Sequence, residues 1–179
     1  MRKRAIPQLA GGSLLAVISI MGIVHGVRGA ISEVSYFQAR YGHARDELKR
    51  SLDLSGRAFD NLPYHYYACI WAGKQAFYEG GPKHADTAAR WADRGMALNP
   101  YNSEIVHLKT EVTARQSVEK AIAIWKPYRE WHFWEPFNHF VLFDLYLRAD
   151  NIEAAEEVLY WLNDTKFFHR ADDMFQRAL

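Results

Sequence analysis

The sequence predicts an all-α protein, a short solenoid of helix-turn-helix units preceded by one transmembrane helix. Three observations carry that prediction. The run from Leu9 to Val27 has no formally charged residue; at about 1.5 Å rise per residue it spans roughly 28 Å, close to a hydrocarbon core. Three prolines, each followed by an aromatic residue, stand at Pro63-Tyr64, Pro100-Tyr101 and Pro136-Phe137, 37 and 36 residues apart. Between them apolar residues recur at helical spacing, with a break near the middle of each unit. The breaks fall at Gly42, Gly80-Gly81-Pro82, Arg115-Gln116-Ser117 and Asp150-Asn151.

The first 29 residues read as a basic segment and a single membrane helix. Arg2, Lys3 and Arg4 before the apolar run predict a cytoplasmic N-terminus, with the rest of the chain periplasmic or otherwise extracytoplasmic. A cleaved signal peptide is the competing reading. The run is long for a signal, and Arg28 spoils the most obvious cleavage site at Ala30. Gly12, Ala16, Ser19, Gly22 and Gly26 recur at spacings of three or four and share one helical face. Small residues let helix backbones approach closely in lipid. That face is therefore expected to dock on another transmembrane helix, such as an integral membrane subunit.

Residues 30–163 read as helical repeats. Proline suits the junctions because it cannot continue a helix yet is tolerated at a helix start. The last unit is the cleanest: Leu142, Tyr146, Ile152, Ala155, Leu159 and Leu162 join two antiparallel helices across the short Asp150-Asn151 turn. Ala155 is small where those helices cross. Spacing and residue type resemble the tetratricopeptide repeat (TPR), with its leucine, aromatic, tight turn, alanine, large apolar residue and terminal proline. In the second unit Ala88, Met96 and Leu98-Asn99-Pro100 match. Its first helix, with Trp71, Gly73, Phe77 and Tyr78, fits if one to three residues are inserted at the Gly80-Gly81-Pro82 turn.

The other two units are worn. The first lacks the expected small residue in its second helix, and Pro127 interrupts the second helix of the third. Residues 164–179 place Phe168, Ala171, Phe175 and Ala178 on one face and read as a helix capping the last repeat.

Composition narrows the function. Of the chain, 49% is hydrophobic and 15% aromatic, so a sizeable core is available, while a net charge of +1 does not favour nucleic acid. The single cysteine, Cys69, excludes an intramolecular disulfide and reads as a buried apolar residue. His132 and His139 flank Glu135, but a helical zinc motif needs one continuous helix and Pro136 breaks it. No Ser-His-Asp order, phosphate-cradling loop or paired carboxylates are present. The expectation is no catalytic residue, no metal, no cofactor and no enzyme activity.

The densest unusual stretch runs from Trp125 to Phe143 and carries eight aromatic residues. It reads as packing between repeats, as a partner-binding patch centred on Tyr128, Trp131, Trp134 and Phe137, or as a contact with membrane or sugar. The TPR resemblance implies a scaffold or accessory subunit that mediates protein-protein interaction in a bacterial-envelope membrane complex. A second reading comes from the similarity of a last membrane helix plus worn repeats to the C-terminal end of O-antigen ligases and polymerases. It makes the chain an accessory to a glycan-transfer system.

Overall fold

The computed structural model describes residues 5–42 and 47–179, with backbone alone for residues 5–12. Arg2, Lys3 and Arg4 lie outside the described residues. The surroundings of Gly12 do too. All regular structure among the described residues is helical: α1 (Ala5–Tyr41), α2 (Leu48–Asn61), α3 (Tyr66–Lys74), α4 (Ala85–Leu98), α5 (Ser103–Ala114), α6 (Val118–Trp131), α7 (Pro136–Arg148), α8 (Ile152–Leu162) and α9 (Phe168–Ala178). The chain forms two compact units that divide within α3, one reaching Trp71 and the other starting at Ala72.

In the first unit α1 is one unbroken helix of 37 residues. It runs through positions 29 and 30 without a turn, so the apolar run and the first helix of the repeats are one element. Ser13–Tyr41 is long and apolar enough to cross a membrane, and none of its most apolar window is buried. The second half differs. Ser32, Ser35, Tyr36 and Ala39 are buried, and α2 packs along that side. Ser32 Oγ donates to the Ala58 carbonyl at 2.7 Å, and the Arg28 guanidinium donates to the Asp60 carbonyl at 2.9 Å. The short serine side chain reaches a backbone carbonyl of α2 because it also keeps the two helices close.

Ser51 corrects the reading that this unit lacks a small residue in its second helix. It is fully buried. Its hydroxyl donates to the Ala39 carbonyl at 3.4 Å and accepts from Trp71 Nε1 at 2.9 Å. Serine takes the place of alanine here, with its polar atom satisfied.

In the second unit Ala88, Ala121 and Ala155 are each fully buried, three residues after the start of α4, α6 and α8. Ala171 holds the same place in α9 and is also fully buried. A methyl at that phase is what lets a helix lie against its predecessor. Glycine serves at two neighbouring contacts. A Cβ on Gly73 would lie 2.4 Å from Leu108 Cδ2, and one on Gly95 would lie 3.3 Å from Ile105.

The insertion expected near Gly80 appears as a π-helical turn, Gln75–Glu79, followed by a 3-10 turn, Gly81–His84. The wider turn absorbs an extra residue without ending the helix, and Gly81 takes a positive φ of 59°. Side-chain caps start the later helices. Asn102 accepts from the Glu104 and Ile105 amides, Ser117 from Lys120 and Asn151 from Ala154. Each is worth about 1 kcal/mol.

Pro127 does not interrupt α6, contrary to the sequence reading. The helix continues to Trp131. Ala123, whose carbonyl loses its partner, is exposed, as is Pro127, so water can meet the freed group. The core of this unit centres on Trp125, Phe143, Leu145 and Leu162, all essentially inaccessible. Ala171 and Phe175 of α9 join it, while Ala178 stays exposed.

Candidate functional site: the aromatic turn between α6 and α7

The turn begins where α6 ends at Trp131 and closes at Pro136, the first residue of α7. Proline at a helix start loses no hydrogen bond and supplies a helical φ. Below the turn, two buried polar side chains of α7 hold it. Asn138 Nδ2 donates to the His132 carbonyl at 3.0 Å. His139 Nε2 donates to the Phe133 carbonyl at 2.6 Å, and its Nδ1 accepts from Arg129 Nε at 3.2 Å. Trp125 Nε1 completes the set by donating to the Asn138 carbonyl at 2.9 Å.

With one ring nitrogen donating and the other accepting, His139 is neutral in this arrangement. Burial pushes its pKa below the ordinary histidine value; the Phe133 hydrogen bond opposes that shift, and Arg129 adds to it. His107, beneath Trp125 and Phe137, is also lowered, chiefly by burial.

Above the turn the aromatic side chains face outward. Trp131 is 70% exposed, Phe133 61% and Trp134 60%. Tyr101, from the loop before α5, lies 6.1 Å from the Trp131 ring and is itself exposed. Trp134 makes edge contacts with His132 and Phe133 at 5.3 and 5.5 Å. On α8 an exposed Trp161 stacks on His139 at 5.8 Å with the planes 15° apart, and the Arg129 guanidinium lies 5.9 Å from its ring. The result is an apolar surface on a backbone fixed from below.

The predicted partner-binding residues therefore separate. Trp131 and Trp134 sit on this surface. Tyr128 is half-buried against Trp125 and His132. Phe137, 38% exposed, lies over His107 and Phe167 and bridges surface and core. Sequence reasoning misses Phe133, Tyr101 and Trp161 as site residues. Tyr101 carries a signal, its place in a Pro-aromatic step, but Trp161 lies on a helix whose pattern marks only its buried face.

The small-residue positions of α1 are open. Ala16, Ser19, Gly22 and Gly26 are exposed, and nothing lies within 4 Å of a Cβ built on either glycine. Among the described residues no group of three or more His, Cys, Asp or Glu is placed to hold an ion. Cys69 is buried, as the sequence suggests.

No protein-family model and no curated protein matches the chain. Its structure is similar to the crystal structure of a thermophilic TPR protein from Thermus thermophilus, with a TM-score of 0.63. The match covers 93% of this chain and 95% of that one at 14% sequence identity. At that identity the likeness is one of fold, a TPR-like helical repeat.

Proposed function

We propose that the chain is a membrane-tethered scaffold or accessory subunit that captures a partner protein on the aromatic turn between α6 and α7. One observation carries the reading. Trp131, Phe133 and Trp134 stand exposed on a turn whose carbonyls are held by buried Asn138 and His139. A flexible loop would lose entropy on binding, whereas rigid Trp and Phe anchors have already lost it. Trp125, Phe140 and Phe143 belong to the buried core, whereas Trp131, Phe133 and Trp134 are left more than half exposed.

In this reading α1 crosses a bacterial-envelope membrane with a cytoplasmic N-terminus and a periplasmic repeat domain. Its small-residue face, through Gly22 and Gly26, receives another transmembrane helix. Alanine at Trp131 and Trp134 in detergent-solubilised full-length protein tests the aromatic turn. The helical circular dichroism should be unchanged while co-purifying protein is lost; retained partners at full folding would remove the reading. For the anchor, retention in membranes after alkaline carbonate washing is the expected result, and Gly22→Ile with Gly26→Ile should release membrane partners.

A further inference from the structure

α2 runs back along α1 toward the apolar segment, and its contacts fix how far it returns. Ser51 reaches the Ala39 carbonyl, Ser32 the Ala58 carbonyl and Arg28 the Asp60 carbonyl, in antiparallel order. The turn that follows goes one step further. The Tyr64 hydroxyl lies 2.8 Å from His25 Nε2, and the two rings are stacked with centroids 6.1 Å apart. His25 precedes Arg28, the first charge after the apolar run, and lies about 4.5 Å deeper along the helix at 1.5 Å per residue. The turn between α2 and α3 therefore stands at the level where the apolar run ends.

The turn is also held there. His65 is buried with its ring 4.8 Å from that of Tyr36, and its Nδ1 accepts from the Ala68 amide at 3.3 Å. Tyr64 beside it is more than half exposed, and Pro63 and Tyr67 are exposed too. From Asn61 to Trp71 the sequence has no Asp, Glu, Lys or Arg but carries Tyr64, Tyr66 and Tyr67. The opposite end of α2 begins with Glu47, Lys49 and Arg50.

We propose that this turn is seated in the headgroup layer of the bilayer that α1 crosses, with Tyr64 as its anchor and phospholipid as the partner of the exposed surface. The inference rests on the membrane-anchored reading and goes beyond it. A tether alone leaves the first unit free to stand off the bilayer, whereas this register holds the unit against it. Two physical reasons favour the seating. Tyrosine presents an apolar ring and a polar tip, which suits it to the boundary between hydrocarbon and water. A histidine in an apolar segment is costly without a polar partner, and the Tyr64 hydroxyl supplies one from that boundary.

The full chain in phosphatidylcholine vesicles carrying a nickel-chelating headgroup lipid tests the seating. On a Cys69→Ala background, a nitroxide at Pro63→Cys should be relaxed by headgroup nickel roughly fivefold more than one at Lys49→Cys, at the far end of α2 and about 18 Å away at 1.5 Å per residue. Tyr64→Asp should lower the Pro63 signal at least about twofold with helicity intact, and Tyr64→Trp, which keeps an amphipathic ring, should preserve it.

Equal relaxation at the two positions in vesicle-retained chain, or a Pro63 signal that Tyr64→Asp leaves unchanged, would overturn the seating. Release of the chain from the vesicles by carbonate washing overturns the anchor reading instead, and the two failures are read from separate measurements.

Discussion

Trp125 and Trp131 lie on the same helix, less than two turns apart, yet one is wholly inaccessible and the other 70% exposed. Trp125 is held by the core of its unit and by a hydrogen bond to the Asn138 carbonyl. Trp131 meets the ring of Tyr101, itself exposed, at the open edge of the turn. The contrast teaches that one aromatic-rich run serves two ends. Its inner members make the repeat stack, and the turn they hold displays the outer ones.

That contrast can be broken from either side. The largest expected effect is on stability: Trp125→Ala should cost about 3 to 5 kcal/mol, the usual range for deleting a buried aromatic, seen as a lowered denaturant midpoint. Trp131→Ala or Trp134→Ala should change stability by less than about 0.5 kcal/mol, as surface substitutions do. Each should weaken partner binding by about 2 kcal/mol, roughly thirtyfold, as hot-spot residues do; titration with the co-purified partner measures this.

Asn138→Ala falls between the two. It removes the donor to the His132 carbonyl and should cost about 1 to 3 kcal/mol. Partner affinity should fall as well, because the turn loses a support. Faster amide exchange confined to the turn would show that this support, and not the core, is what was lost.

The smallest effect is that of pH. Burial lowers the folded-state pKa of His139 and His107, while the unfolded chain returns them to about 6.5. Below that value the unfolded state binds more protons, so the stabilisation is complete above about pH 6.5 and is lost as pH falls through the folded-state values. Denaturant midpoints at neutral and mildly acidic pH should show this slope, and His139→Gln should flatten part of it.

Much of the repeat architecture was legible. Ala88 and Ala155 announced helix crossings, and the break at Asp150-Asn151 matches the α7–α8 turn, with Asp150 at a positive φ of 56°. Pro127 misled because its cost depends on whether the orphaned carbonyl meets water, and that is set by which way Ala123 faces. Ser51 was hidden because a buried serine resembles a surface residue until its hydroxyl partners, Ala39 and Trp71, are placed around it. The candidate site was only half visible. Its aromatic density could be counted along the chain, but the division of those rings between core and surface could not.

The amino-acid sequence alone determined the helical class, the uncharged apolar segment and the approximate repeat period, since these are local properties of composition and spacing. Tertiary structure decided that α1 continues unbroken from the apolar segment into the first unit. It also decided that Ser32, Ser35, Tyr36 and Ala39 turn toward α2 while Val34, Phe37 and Tyr41 remain bare. The reason is physical: periodicity tells which residues share a face, but burial depends on what packs against that face.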